Sequence, residues 1–204
     1  MRAQAAACLG AGWFIACLAA PADSRPARYS ETPGAMIRSL YRLDVSRRPF
    51  GIDSPHFLKL FAPYLSERLI QRIKSDRLCE NDWWRRTRGL YRGNPWKAPF
   101  AWQELGLFSG SDDGEPAAFQ IERSEPQEDG SILFYLRFRA RELTYSPDLP
   151  NGPPEKPYFW EAAVPVVRER GRPVVDDVIY TGLKSDLSHV INANCRGSHW
   201  DGRY

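Results

Sequence analysis

The hydrophobic period changes partway along the chain, and this change limits the fold more than any other feature. Before residue 80, apolar side chains recur at every third or fourth position: Met36, Ile37, Leu40, Tyr41 and Val45, then Phe57, Leu58, Phe61, Leu65, Leu69 and Ile73. That spacing lines one face of a helix. Later, Ile132, Phe134, Leu136 and Phe138 alternate with Leu133, Tyr135, Arg137 and Arg139, the two-residue period of a strand. Helices first and antiparallel strands second make an α+β layout.

Local punctuation divides the two halves. Thr32-Pro33 reads as an N-cap followed by proline in the first helical turn, and Ser54-Pro55 repeats the device. Pro63 interrupts the second helical run, which predicts a further helix from about Pro63 to Leu78. Asn81 to Asp113 is irregular and aromatic, and is expected as a long loop or a set of short helices. Strands are predicted over 117–123, 131–143, 158–169 and 173–180, with a hairpin turn at Gln127–Gly130 and a tight turn at Arg170-Gly171-Arg172. Pro165 marks a bulge or an edge position. A helix over Leu183–Asn194 and a tail from Cys195 to Tyr204 complete the chain. N-terminal helices packed on a curved antiparallel sheet of about four strands, with this closing helix, would bury both patterns.

The first residues predict export. Arg2 precedes an apolar run from Ala5 to Ala20, shorter than the ~20 residues of a spanning helix. Ala20-Pro21-Ala22 then forms a small-residue cleavage site. Residues 1–22 are therefore expected as a secretory signal, 23–30 as a flexible leader, and 31–204 as one periplasmic domain. Two other routes stay open. Phe14-Ile15-Ala16-Cys17 is a loose lipoprotein box with Cys17 as the lipidated residue, which would give the mature domain its membrane contact; an uncleaved membrane anchor is the other.

Composition agrees with a globular domain: 43% of residues are hydrophobic and 13% aromatic. The net charge of +3 makes no electrostatic case for a nucleic-acid partner. Of four cysteines, Cys8 and Cys17 lie in the signal. Cys79 and Cys195 remain, and an oxidising compartment invites one disulfide between them; two separate buried thiols are the alternative.

The order of elements resembles the NTF2-like or cystatin-like architecture, and more narrowly a family of secreted bacterial proteins and lipoproteins with that fold. Four features carry the resemblance: the export signal, the helical pair ending near Leu78, the strands Val164-Pro165-Val166-Val167 and Pro173 to Tyr180 around a short turn, and the closing helix before Cys195. Some proteins of this kind are immunity proteins that block secreted toxins. The resemblance thus implies a non-catalytic periplasmic binding protein with a protein partner, a toxin or effector. An envelope enzyme or small-ligand binder using a pocket in the cone of the sheet is the alternative, and a lipid-anchored structural protein a third.

No catalytic constellation stands out, and neither cofactor nor metal is expected. His56, His189 and His199 form no metal-binding motif, although Cys195 and His199 are four residues apart. Ser198 beside His199 is adjacency, not a triad. Asp176 and Asp177 fall inside a predicted strand, so their side chains should point to opposite faces, one of them into the cone or onto an arginine. With Tyr180 they are the candidate pocket residues. Trp83, Trp84, Arg85, Arg86, Arg88, Tyr91 and Trp96 mix rings with cations, the residue types that dominate protein interfaces. They are the candidate partner-binding set; Trp83 and Trp84 as core is the competing reading.

Overall fold

In the computed structural model the described residues are 31–47, 55–89, 106–110, 116–140, 158–191, 193 and 195–202. The expected signal and leader (1–22 and 23–30), Cys17, Tyr91 and Trp96 lie outside them. The architecture is α+β. Three helices precede a six-stranded antiparallel sheet, and a two-stranded hairpin ends the described chain.

Helix α1 spans Pro33–Arg47 and starts where the sequence predicts. Thr32 caps it: its carbonyl accepts the amides of Ala35 and Met36, and its hydroxyl that of Ala35 at 3.2 Å. Helix α2 spans Pro55–Phe61 and runs into a 3-10 turn, Ala62–Tyr64, that contains Pro63. Helix α3 spans Glu67–Thr87. Ser66 caps α3 by accepting the Leu69 amide at 3.0 Å. The Ser66 amide itself donates to the Val175 carbonyl at 2.8 Å, which ties the start of α3 to the sheet.

Helix α3 runs past the expected end at Leu78 by about two and a half turns. Its buried stripe continues through Asp76, Cys79, Asp82 and Trp83, a mixture that hides the helical period. Trp83 through Arg86 are therefore helical residues rather than part of a loop.

The sheet runs β1 (Pro116–Pro126), β2 (Ile132–Ala140), β3 (Phe159–Glu169), β4 (Arg172–Val175), β5 (Ile179–Tyr180) and β6 (Ser185–Asp186). Its order is β1-β2-β3-β5-β6, with β4 also paired to β3. The β1–β2 turn has Gly130 at φ 81°, and the β3–β4 turn uses Arg170 at φ 51° and Gly171 at φ 78°. Two central residues with positive φ match the twist of a two-residue hairpin.

Two expectations are corrected here. The single fourth strand over 173–180 is broken into β4 and β5, and β6 adds a further strand at Ser185–Asp186, so the sheet has six strands rather than about four. Val166 faces Val175, while Ala163 faces Ile179, a register one residue out of step. The Asp176 amide still donates to the Pro165 carbonyl at 3.0 Å, but proline has no N–H to return the bond. The ladder fails there, and one extra residue is accommodated across 176–178. Pro165 thus faces a bulge on the neighbouring strand and is not at an edge. The closing helix over 183–194 is also shorter than expected. Helix α4 spans Leu187–Val190, with Asp186 as its cap, and β6 takes Ser185–Asp186.

One apolar cluster joins the inner faces: Met36, Ile37, Leu40 and Tyr41 of α1, Leu69, Ile73 and Trp83 of α3, and Phe134, Leu136, Phe138 and Val164 of the sheet. The segment Gly106–Gly110 plugs it. Three buried or half-buried aromatic donors hold its carbonyls: Tyr41 Oη to Phe108 (2.8 Å), Tyr180 Oη to Leu107 (2.6 Å) and Trp160 Nε1 to Ser109 (2.8 Å). Phe108 stacks on Phe61 at 4.8 Å. Gly110 has φ 71°, and a Cβ there would overlap the Tyr180 ring. Gly110→Ala is expected to cost about 2–4 kcal/mol, left-handed strain and overpacking together. A urea titration checks it, and a loss below about 0.5 kcal/mol, the range of an ordinary surface substitution, contradicts the close approach.

Candidate functional site

The C-terminal hairpin, β7 (Cys195–Arg196) and β8 (His199–Trp200), lies against α3. The sulfurs of Cys79 and Cys195 are 2.01 Å apart, with Cα atoms separated by 6.0 Å, so the two cysteines left after the expected cleavage are bonded to each other. Cys195 is consequently not a metal ligand alongside His199. Among the described residues no group of three His, Cys, Asp or Glu side chains could hold a metal ion, and no helix is long and apolar enough to cross a membrane.

Asp82 joins the hairpin to the aromatic–basic stretch. Its buried carboxylate pairs with Arg85 and, at 2.8 Å, with Arg86. It also accepts the Trp200 amide at 3.3 Å and lies 3.8 Å from His199 Nδ1. Burial works to raise the Asp82 pKa, but the Arg85 hydrogen bond, the Trp200 amide and the charge of Arg86 hold it below the usual carboxylate range.

The candidate partner-binding residues separate on this frame. Trp83 is fully buried and belongs to the core, in edge contact with Trp84 at 4.5 Å. Trp84, Arg85, Arg86 and Arg88 are exposed. Trp84 and Leu78 are large apolar side chains left 47% and 58% exposed on one helix. Around them stand Lys74, Arg77, Arg85, Arg86 and Arg88, while two of the three carboxylates in this stretch, Asp76 and Asp82, are buried.

The candidate pocket residues also separate. Tyr180 is buried in the core, and burial, with Asp177, Asp186 and Asp44 nearby, pushes its pKa well up. Asp176 and Asp177 lie in the break between β4 and β5, so strand alternation does not part them as expected. Both carboxylates address Arg68: Nη2 is 2.7 Å from Asp176 Oδ2 and 3.8 Å from Asp177 Oδ2. Burial would raise the Asp176 pKa, but its hydrogen bonds to Arg68 and Ser66 lower it. The inner face of the sheet, where a cone pocket would open, is occupied by Phe61, Phe108, Phe134, Leu136 and Phe138.

Asp44 escaped sequence reasoning. It is 3% exposed on α1, and its Oδ2 has no hydrogen-bond partner among the described residues. Burial pushes its pKa from the usual carboxylate range to about 7. The signal was present: Ile37, Leu40, Tyr41 and Asp44 follow the i, i+3, i+4, i+7 spacing of a buried stripe. Comparison of the chain with protein-family models, curated proteins and solved structures finds no match to any of them.

Proposed function

We propose that this chain is an exported, non-catalytic binding protein of NTF2-like or cystatin-like architecture, of the immunity type, and that it holds an acidic protein partner against the outer face of the second half of α3. The observation that carries this reading is the exposed pair Leu78 and Trp84 set among Lys74, Arg77, Arg85, Arg86 and Arg88. Cations near a helix C-terminus complement the helix dipole, which accounts for the arginines but not for two large apolar side chains left in water. Apolar anchors ringed by arginine are the usual make-up of an interface hot spot. The buried Asp82 carboxylate supports the same reading, because it pairs with Arg85 and Arg86 and limits the side-chain freedom lost on binding. An interior filled by the described residues favours a surface mode of binding over a cone pocket, and a disulfide suits an oxidising compartment.

The test pairs this protein with the product of the neighbouring gene, by calorimetry and by co-expression in the periplasm. The wild type should bind and should protect the host cells. The double variant Trp84→Ala/Arg88→Glu should bind at least tenfold more weakly, about 1.4 kcal/mol or more. Its melting temperature should fall by only a few degrees, because Trp84 loses its edge contact with Trp83 and Arg88 its place at the helix C-terminus while the core stays intact, and the variant should remain folded at the temperature of the titration. Wild-type affinity in the double variant, or no binding and no protection by the wild type, overturns the reading.

A further inference from the structure

A cleft of about 500 Å³ opens on another side of α3, lined by Arg68, Arg72, Asp177, Asp186, Ser188 and His189. Most of its charged atoms already have partners. Arg68 holds Asp176 through Nε and Nη2, at 3.0 and 2.7 Å, and reaches the Asp176 carbonyl at 2.8 Å. Asp177 Oδ1 accepts the amides of Val178 and Ser188 at 2.9 and 3.0 Å. Asp186 Oδ1 accepts the His189 amide at 2.7 Å.

Three groups are left over. Arg72 lies one helical turn from Arg68, makes no ion pair at contact distance among the described residues, acts on Asp176 only at longer range, and donates to the Ser188 carbonyl at 3.4 Å. Asp177 Oδ2 is 3.8 Å from Arg68, too long for a hydrogen bond. Asp186 Oδ2 takes no hydrogen bond among the described residues. The cleft therefore offers one uncommitted guanidinium and two under-used carboxylate oxygens. A simple anion would meet Arg72 but also Asp177 and Asp186; a simple cation would meet the reverse. A molecule carrying both charges satisfies all three groups with charge-assisted hydrogen bonds.

We propose that the cleft between α3 and residues 177–189 binds a small zwitterion of the amino-acid type, its carboxylate on Arg72 and its ammonium group between Asp177 and Asp186. The site stands apart from the partner-binding face and does not depend on it. A free amino acid and a short peptide share this chemistry.

Calorimetry at neutral pH with glycine, alanine and dialanine tests the assignment, with acetate and methylammonium as single-charge controls. Saturable binding of a zwitterion, about tenfold or more tighter than either control, is the expected result. Dialanine alone identifies a peptide ligand, and alanine or glycine a free amino acid. Arg72→Gln should weaken binding about tenfold or more. Asp186→Asn should do the same, and because asparagine also caps helices, α4 should keep its start. No saturation by any zwitterion up to about 20 mM, acetate binding as tightly as glycine, or full affinity in Arg72→Gln with an unchanged melting temperature each overturns the proposal.

Discussion

Replacing Cys79 and Cys195 together by alanine is expected to remove roughly 4–5 kcal/mol of stability and to lower the melting temperature by roughly 10–15 °C. The bond joins residues 116 apart in sequence. Closing so long a loop in advance removes many conformations from the unfolded chain, which is where the chain-entropy argument places most of the effect. The native state has its own stake. Cys79 is fully buried in α3, and the bond holds the C-terminal hairpin where Asp82 meets the Trp200 amide. Urea titrations of the oxidised wild type, the reduced wild type and the double variant separate the contributions. The reduced protein and the double variant should coincide, and a reductant should leave the variant unaffected. A total loss below about 1 kcal/mol would contradict the tether.

The second large effect concerns pH. A carboxyl whose pKa rises from 3.8 to about 7 on folding keeps its proton in the native state after the unfolded chain has lost it. Across that window the native state binds more protons, so stability falls as pH rises from about 4 to about 7 and levels off above. About three pKa units correspond to roughly 4 kcal/mol. An asparagine side chain carries no charge at any pH. Asp44→Asn should therefore match the wild type near pH 4 and exceed it by roughly 3–4 kcal/mol at pH 8. Asp82 and Asp176, whose pKa values are lowered, favour folding at higher pH and lose that contribution on acidification. They are common to both proteins, so the difference between the two profiles isolates Asp44. Parallel profiles across the window would mean that the carboxyl at position 44 is solvated.

The α+β layout, the start of α1 at Thr32-Pro33, the hairpin turn at Gly130, the tight turn at Arg170-Gly171 and the Cys79–Cys195 pair were all legible in the sequence. Each rests on a local rule or on simple counting. Features with a distant cause were not. Pro165 did signal a bulge, but its placement on the neighbouring strand after β4 depends on the pairing that sets Pro165 opposite Asp176, to which it cannot return a hydrogen bond. The length of α3 depends on a stripe that includes Asp76 and Asp82, two buried carboxylates that interrupt the apolar period; Asp82 is met by Arg85 and Arg86 of its own helix and by the distant Trp200 amide. For the same reason the candidate site was half legible. Composition drew attention to the aromatic–basic stretch, but only helical geometry separates Trp83, turned into the core, from Trp84, left in water.

The plug at Gly106–Gly110 has a consequence for how substitutions are tolerated. The three aromatic hydrogen bonds made to it among the described residues are accepted by main-chain carbonyls, which every residue type carries. The chemical identity needed for these bonds therefore resides in the donors Tyr41, Tyr180 and Trp160, which come from a helix and two strands far away in the chain. Drift at position 109 would leave the bonding pattern intact, whereas a single Tyr→Phe exchange at 41 or 180 would strand a buried carbonyl.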